Sequence, residues 1–186
     1  MKLRNKAVLG ALALALAFIL DDFANRAIRL IHYAPLDSFF HWISVSLFTV
    51  FMLMLLTSLA LYEGKKKDWI VPMWLSAAFA AMLVQVLKLI FMRERPDGFV
   101  MTMLWIRDFS FPSAHAAICF ALVPILDREF PRLSVFWISF ASLVALSRLY
   151  MGVHYLSDIV AGAAIGYLIG MAVIYLVRWK HGKARV

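Results

Sequence analysis

Three short stretches of this sequence gather side chains that could bind an anion and move a proton. The first is Lys88-Leu-Ile-Phe-Met-Arg-Glu-Arg95-Pro96, in which a lysine and an arginine stand seven residues apart. Two helical turns separate them, so they share a face, and Pro96 disfavours helix at Arg95 and closes the segment there. An ammonium beside a planar guanidinium suits one anion, with phosphate taken bidentately by the arginine. The same pair is also compatible with two cations whose stems merely carry their charges to the edge of an apolar layer. The second stretch, Phe111-Pro112-Ser113-Ala114-His115, opens a helix. Proline is favoured in a first turn, where unpaired N–H groups form an anion site. Ser113 would add a hydroxyl donor and His115 a titratable proton, although a histidine seen in isolation is more often structural.

The third stretch runs Ser147-Arg148-Leu-Tyr-Met-Gly152-Val-His154-Tyr-Leu-Ser-Asp158. His154 and Asp158 are four apart and stack on one helix face. An aspartate that accepts from one ring nitrogen fixes the tautomer and leaves the other nitrogen free to attack. Arg148 brings another guanidinium, and Gly152 lets the chain turn between helices. A pair that only stabilises a helix is the competing reading. Metal binding by these residues lacks the carboxylate clusters of magnesium or calcium sites and the Cys or HExxH patterns of zinc sites. No metal and no cofactor is therefore expected.

Composition says what kind of element must hold these residues. Hydrophobic residues make up 64% of the 186 and charged ones 16%, whereas soluble domains carry roughly 45–50% and 25%. An all-α, six-transmembrane-helix bundle in one domain spanning 1–186 is the expected fold, with helices near 7–24, 39–62, 69–92, 113–126, 133–151 and 155–178. The first is the weakest, since its apolar run from Ala7 to Leu20 is 14 residues, about 21 Å of helix. That length also suits a signal peptide led by Lys2, Arg4 and Lys6, but Asp21 and Asp22 follow where a cleavage site would stand, which favours a retained helix. The residues of 23–33, with Arg26 and Arg29, could form an interfacial helix lining a lipid entrance, or an ordinary connection. The lone Cys119 sits in an apolar run and reads as a small buried hydrophobe.

Charge supplies an orientation. The net charge is +8, but the basic residues form no single patch, and a nucleic-acid partner is not indicated. With six alternating helices and a cytoplasmic N-terminus, Lys2, Arg4, Lys6, Lys65, Lys66, Lys67, Arg128, Arg132, Arg178, Lys180, Lys183 and Arg185 fall inside, twelve of the 19 Lys and Arg. Both termini are then cytoplasmic and the three reactive stretches meet on the opposite side. Trp42, Trp69 and Trp179 fall near helix ends as an aromatic belt, with Trp137 slightly deeper. Gly162, Gly166 and Gly170 form a small-residue stripe that serves close helix packing, or dimerisation in the second instance. Monomer and homodimer both remain open.

Taken together and in this order, the three stretches resemble the tripartite signature of the type-2 phosphatidic acid phosphatase superfamily: KxxxxxxRP, PSGH and SRxxxxxHxxxD. The motifs cover residues 88–158, and the helical layout extends the likeness to nearly the whole chain. The resemblance implies His154 as the nucleophile that forms a phosphohistidine, oriented by Asp158. It implies His115 as the acid that protonates the leaving oxygen and then the base that activates water. Lys88, Arg95, Ser113, the Ala114 position and Arg148 would hold phosphate oxygens. One departure is visible. Ala114 stands where the pattern has glycine, which costs nothing in a helical first turn but is strained at positive φ.

The expectation is thus a metal-independent phosphatase of the plasma membrane, multi-pass, acting on a lipid phosphate from the periplasmic or extracellular side. A polyprenyl (undecaprenyl or dolichyl) diphosphate is the first substrate, with phosphatidate, phosphatidylglycerophosphate and lipid A phosphate as alternatives. A phosphotransferase would share the phosphohistidine and differ only in the acceptor. A transporter or scramblase would not need both histidines with Asp158. A soluble vanadate haloperoxidase does not fit this hydrophobicity.

Overall fold

Long apolar runs broken by Pro, Gly and charge clusters should give helices and little else, and they do. The computed structural model describes residues 3–44, 47–96 and 109–183. These fold into seven α-helices with no strand among them: α1 (Leu3–Arg29), α2 (Ala34–Ser44), α3 (Leu47–Glu63), α4 (Ile70–Phe91), α5 (Ala114–Glu129), α6 (Ser134–Tyr150) and α7 (Leu156–Lys183). Short 3-10 turns at Lys67–Trp69 and Pro131–Leu133 lead into α4 and α6. Met92 ends α4 in the left-handed region at φ 45° and returns its N–H to the Lys88 carbonyl. Gly152, at φ 67°, makes the turn between α6 and α7 that a side chain would resist.

Four of these helices are long and apolar enough to cross a membrane: Val8–Arg29, Lys67–Phe91, Pro131–Tyr150 and Leu156–Trp179. The six crossings expected from hydropathy are not reached on that criterion. Within 39–62 the described residues give α2 up to Ser44 and α3 from Leu47, and α5 has only 16 residues, about 24 Å of helix. Nor do residues 23–29 form a separate interfacial helix, because α1 continues unbroken through them to Arg29. Lys2 and Arg185, used in the charge count, lie outside the described residues.

The short α5 sits at the centre, packed most extensively on α7 and then on α4 and α6. Its apolar side chains at Ala116, Ala117, Ala121, Leu122, Ile125 and Leu126 are almost wholly covered, and so is Cys119. A helix screened on all sides need not match the bilayer thickness itself. The glycine stripe is what lets α7 approach: a Cβ at Gly162 would stand 2.5 Å from the Ser113 carbonyl oxygen, and at Gly166 and Gly170 it would meet the carbonyls of Ala117 and Ala121. The stripe therefore serves packing within the chain. Outward, Leu12, Ile19, Leu75, Phe79, Val135 and Leu168 are exposed, a larger apolar surface than a water-soluble monomer shows. At one end of the bundle Glu129 is buried against Lys66 at 3.4 Å and Arg128 at 3.1 Å. The three reactive stretches lie at the other end.

Candidate active site

α4 and α6 deliver their C-terminal ends to this region, and α5 and α7 their N-terminal ends. Lys88, in the last turn of α4, is buried, and Arg95 follows three residues after the α4 cap. Arg148 lies in the last turn of α6. Ser113 is the N-cap of α5, with extended backbone, so His115 falls in its first turn. Ala114 is helical and absent from the positive-φ residues. Replacement of the pattern's glycine is therefore unstrained here.

Backbone and side-chain bonds draw the three stretches together. The Ser113 N–H donates to the Asp158 carbonyl at 3.0 Å. Arg95 Nη1 donates to the Val153 carbonyl at 2.7 Å. Arg148, Lys88 and Arg95 lie close enough to act electrostatically on His115. Arg95 and Arg148 also act on His154. One histidine thus has three motif cations in its neighbourhood, and the other has two. Ser113 is fully buried, and its hydroxyl has no hydrogen-bond partner among the described residues. Such a group next to the free N–H groups of a helix start is suited to an anion's oxygen.

His154 and Asp158 meet, with Nδ1 of the ring 3.2 Å from Asp158 Oδ2, but not on one helix face as the spacing suggested, because His154 lies in the turn before α7 and only Asp158 is helical. Both are almost completely buried. Burial lowers the His154 imidazole to about 4, against the opposing pull of the Asp158 hydrogen bond. The ring is accordingly neutral at physiological pH. Asp158 is the third residue of α7, and its Oδ2 also accepts the Tyr155 N–H at 2.8 Å. That is the reach-back half of a capping box, in an acid placed where the helix dipole favours negative charge.

Two further residues, Arg93 and Asp21, join the site. Arg93 donates from Nη1 to Asp158 Oδ1 at 2.8 Å and from Nη2 to Asp21 Oδ2 at 2.7 Å. Asp21, on α1, also accepts from the Ser157 N–H at 2.8 Å. The signal was present in the sequence, since Asp21 is a charge in an apolar helix and such charges are costly unless partnered. A cavity of about 90 Å³ is lined by Asn25, Ile28, Arg29, His32, Pro96 and Gly152, among others. Among the described residues no group of three or more His, Cys, Asp or Glu that could hold a metal ion is assembled.

The PAP2 superfamily pattern matches residues 69–182. The chain belongs to the PAP2 superfamily. Among its PAP2 relatives, the lipid A 1-phosphatase of Porphyromonas gingivalis is 34% identical over 116 residues, covering 59% of this chain and 24% of that protein. The chain thus spans about a quarter of that relative's length. The decaprenylphosphoryl-5-phosphoribose phosphatase of Mycobacterium tuberculosis is 34% identical over 129 residues, 66% of this chain and 68% of that protein. In fold, the chain is similar to the crystal structure of a transmembrane PAP2 type phosphatidylglycerolphosphate phosphatase from Bacillus subtilis. That likeness has a TM-score of 0.71 at 24% identity, covering 91% of this chain and 94% of the other. Both of these curated relatives are named as phosphatases, and the apolar exterior agrees with a membrane protein of this superfamily.

Proposed function

We propose that this chain hydrolyses a membrane lipid phosphate or diphosphate through a phosphohistidine. The observation that carries the reading is the convergence on one end of the bundle of a neutral, Asp158-held His154 with His115 and with Lys88, Arg95 and Arg148, the cations of the first and third motifs. His154 Nε2 attacks phosphorus while the bond to the lipid oxygen breaks, and His115 gives that oxygen its proton. The Nδ1 proton stays between His154 and Asp158, whose charge stabilises the ring as it becomes cationic. Water, deprotonated by His115, then attacks phosphorus and breaks the P–N bond, releasing inorganic phosphate and restoring both histidines. Lys88, Arg95, Arg148, Ser113 and the α5 N-terminus at Ala114 stabilise the equatorial oxygens, the main task of a phosphoryl-transfer site.

For the lipid, a polyprenyl diphosphate is the first reading, supported by the match to a phosphatase of a decaprenyl-linked phosphate that the chain covers well. A lipid A phosphate is the second, supported by the match to a lipid A 1-phosphatase. Six crossings, with α2–α3 and α5 completing the four longer spans, bring both termini to the cytoplasm and the site outside. Purified protein in detergent, given a panel of undecaprenyl diphosphate, lipid A, phosphatidate and phosphatidylglycerophosphate, should release inorganic phosphate without an acceptor. The rate is expected to be highest on the diphosphate and unchanged by excess chelator. Release that requires an added sugar or lipid acceptor would make the protein a transferase, and loss of activity to EDTA restored by magnesium would overturn the metal-free chemistry.

A further inference from the structure

A carboxylate that orients a histidine is itself free to turn about its terminal torsion, which is broad and two-fold. Asp158 is denied that freedom. Its Oδ2 holds His154 and the Tyr155 N–H, while Oδ1 receives Arg93 Nη1 at 2.8 Å. Arg93 is in turn held by several partners. Its Nη1 also donates to Ser157 Oγ at 2.6 Å, its Nη2 to Asp21 Oδ2 at 2.7 Å, and its guanidinium lies 3.8 Å from the centre of the Tyr155 ring and 5.4 Å from that of Phe18. Asp21 completes the frame by accepting the Ser157 N–H at 2.8 Å and the Ser157 hydroxyl at 2.6 Å. Asp21 and Asp158 are both buried, where bonds between ionised partners are strong and geometrically exacting.

From this network we infer that Asp21 and Arg93 are positioning residues for the phosphoryl-transfer step, acting on His154 through Asp158. Asp21 takes one arm of the Arg93 fork, which leaves the other arm to pin Asp158 Oδ1. The carboxylate plane is thereby set so that Oδ2 keeps the proton on His154 Nδ1 and the lone pair on Nε2. Asp21 belongs to α1 and lies outside the residues 69–182 that match the superfamily. The site is then incomplete without a helix that the motifs do not include. This inference rests on the phosphohistidine reading above, and its test separates the two.

Arg93→Gln, Arg93→Lys, Asp21→Asn and the Asp21→Asn/Arg93→Gln double variant are purified in detergent beside wild type. Loss of a residue that orients a catalytic group typically costs about 10–100-fold in activity. Arg93→Gln is expected to lose that much in kcat with KM within about threefold, Asp21→Asn to lose less, and Arg93→Lys to recover part of the loss. Because Asp21 acts through Arg93, the double variant should be no slower than Arg93→Gln alone. Isotope-labelled histidine, observed by nitrogen NMR, supplies a readout that needs no turnover. His154 should show a single tautomer protonated at Nδ1 in wild type and a mixture in Asp21→Asn and Arg93→Lys. Those two variants keep the proposal testable should Arg93→Gln fail to fold. An unchanged tautomer, a loss in KM instead of kcat, or losses that add in the double variant would overturn it. An inactive wild type with the expected tautomers would count against the phosphatase reading alone.

Discussion

Asp158, in the first turn of α7, and His154, in the turn just before it, set the predictions at the residue scale. His154→Ala should abolish turnover, and acid quenching of wild type should trap a phosphoenzyme that is stable to base and labile to acid. Near-normal turnover in the variant would remove His154 from its role. His115→Ala should stop hydrolysis of a lipid ester yet still form the phosphoenzyme from a substrate with an activated leaving group, which needs less protonation. A histidine that attacks phosphorus must be neutral, and burial lowers the His154 ring to about 4. As pH falls, the His154-dependent loss of kcat/KM should therefore appear only near that value, well below the ordinary histidine range. An acid limb near 6.5 would show that the ring is more solvated than the structure has it. His154, Asp158, His115 and the motif cations were legible because each signal is local, a spacing or a helix start. Arg93 and Asp21 were not, since their bond joins positions 72 apart and no local pattern encodes a partner at that distance.

At the scale of elements, hydropathy found the apolar runs but not how the bundle shares them out. Residues 23–29 belong to α1, because hydropathy does not say where backbone hydrogen bonding continues. The glycines were more informative. Their spacing gave the packing face, and the structure adds what lies opposite. A Cβ at Gly162 would press on the Ser113 carbonyl at the start of α5, whereas one at Gly170 would press on Ala121 and Pro124, farther from the site. Overpacking of this kind costs about 1–3 kcal/mol. Gly162→Ala and Gly170→Ala should both lower the thermal midpoint in detergent, but only Gly162→Ala should reduce the kcat of the protein that stays folded. Gly10, in α1, has nothing within 4 Å of its added Cβ. Its change to Ala should leave kcat alone and raise helix stability by roughly 0.5–1 kcal/mol. Equal kcat losses at positions 162 and 170 would mean that the α5 start is not what position 162 controls.

For the whole molecule, sidedness joins the charge pattern to the chemistry. In a Cys119→Ser background, a cysteine replacing Leu30, exposed at the end that bears the site, should react with an impermeant thiol reagent on intact cells. One replacing Gly64, beside the Lys65–Lys67 cluster, should not. The reverse result would turn the site toward the cytoplasm and remove any part in recovering a lipid carrier after export. The central place of α5 has a further consequence, for biosynthesis. A ribosome delivers α5 long before α7, the helix that supplies the broadest cover for it. Until then α5 is a short segment, with a proline at position 124 and charges at its end, that has little claim of its own on the bilayer. Its insertion should be decided late, by capture instead of by hydropathy at the moment of emergence. Chains stopped after Gly152 should leave α5 open to protease digestion from one side in isolated membranes. Chains that reach Lys183 should protect it, and protection in both would show that α5 enters unaided.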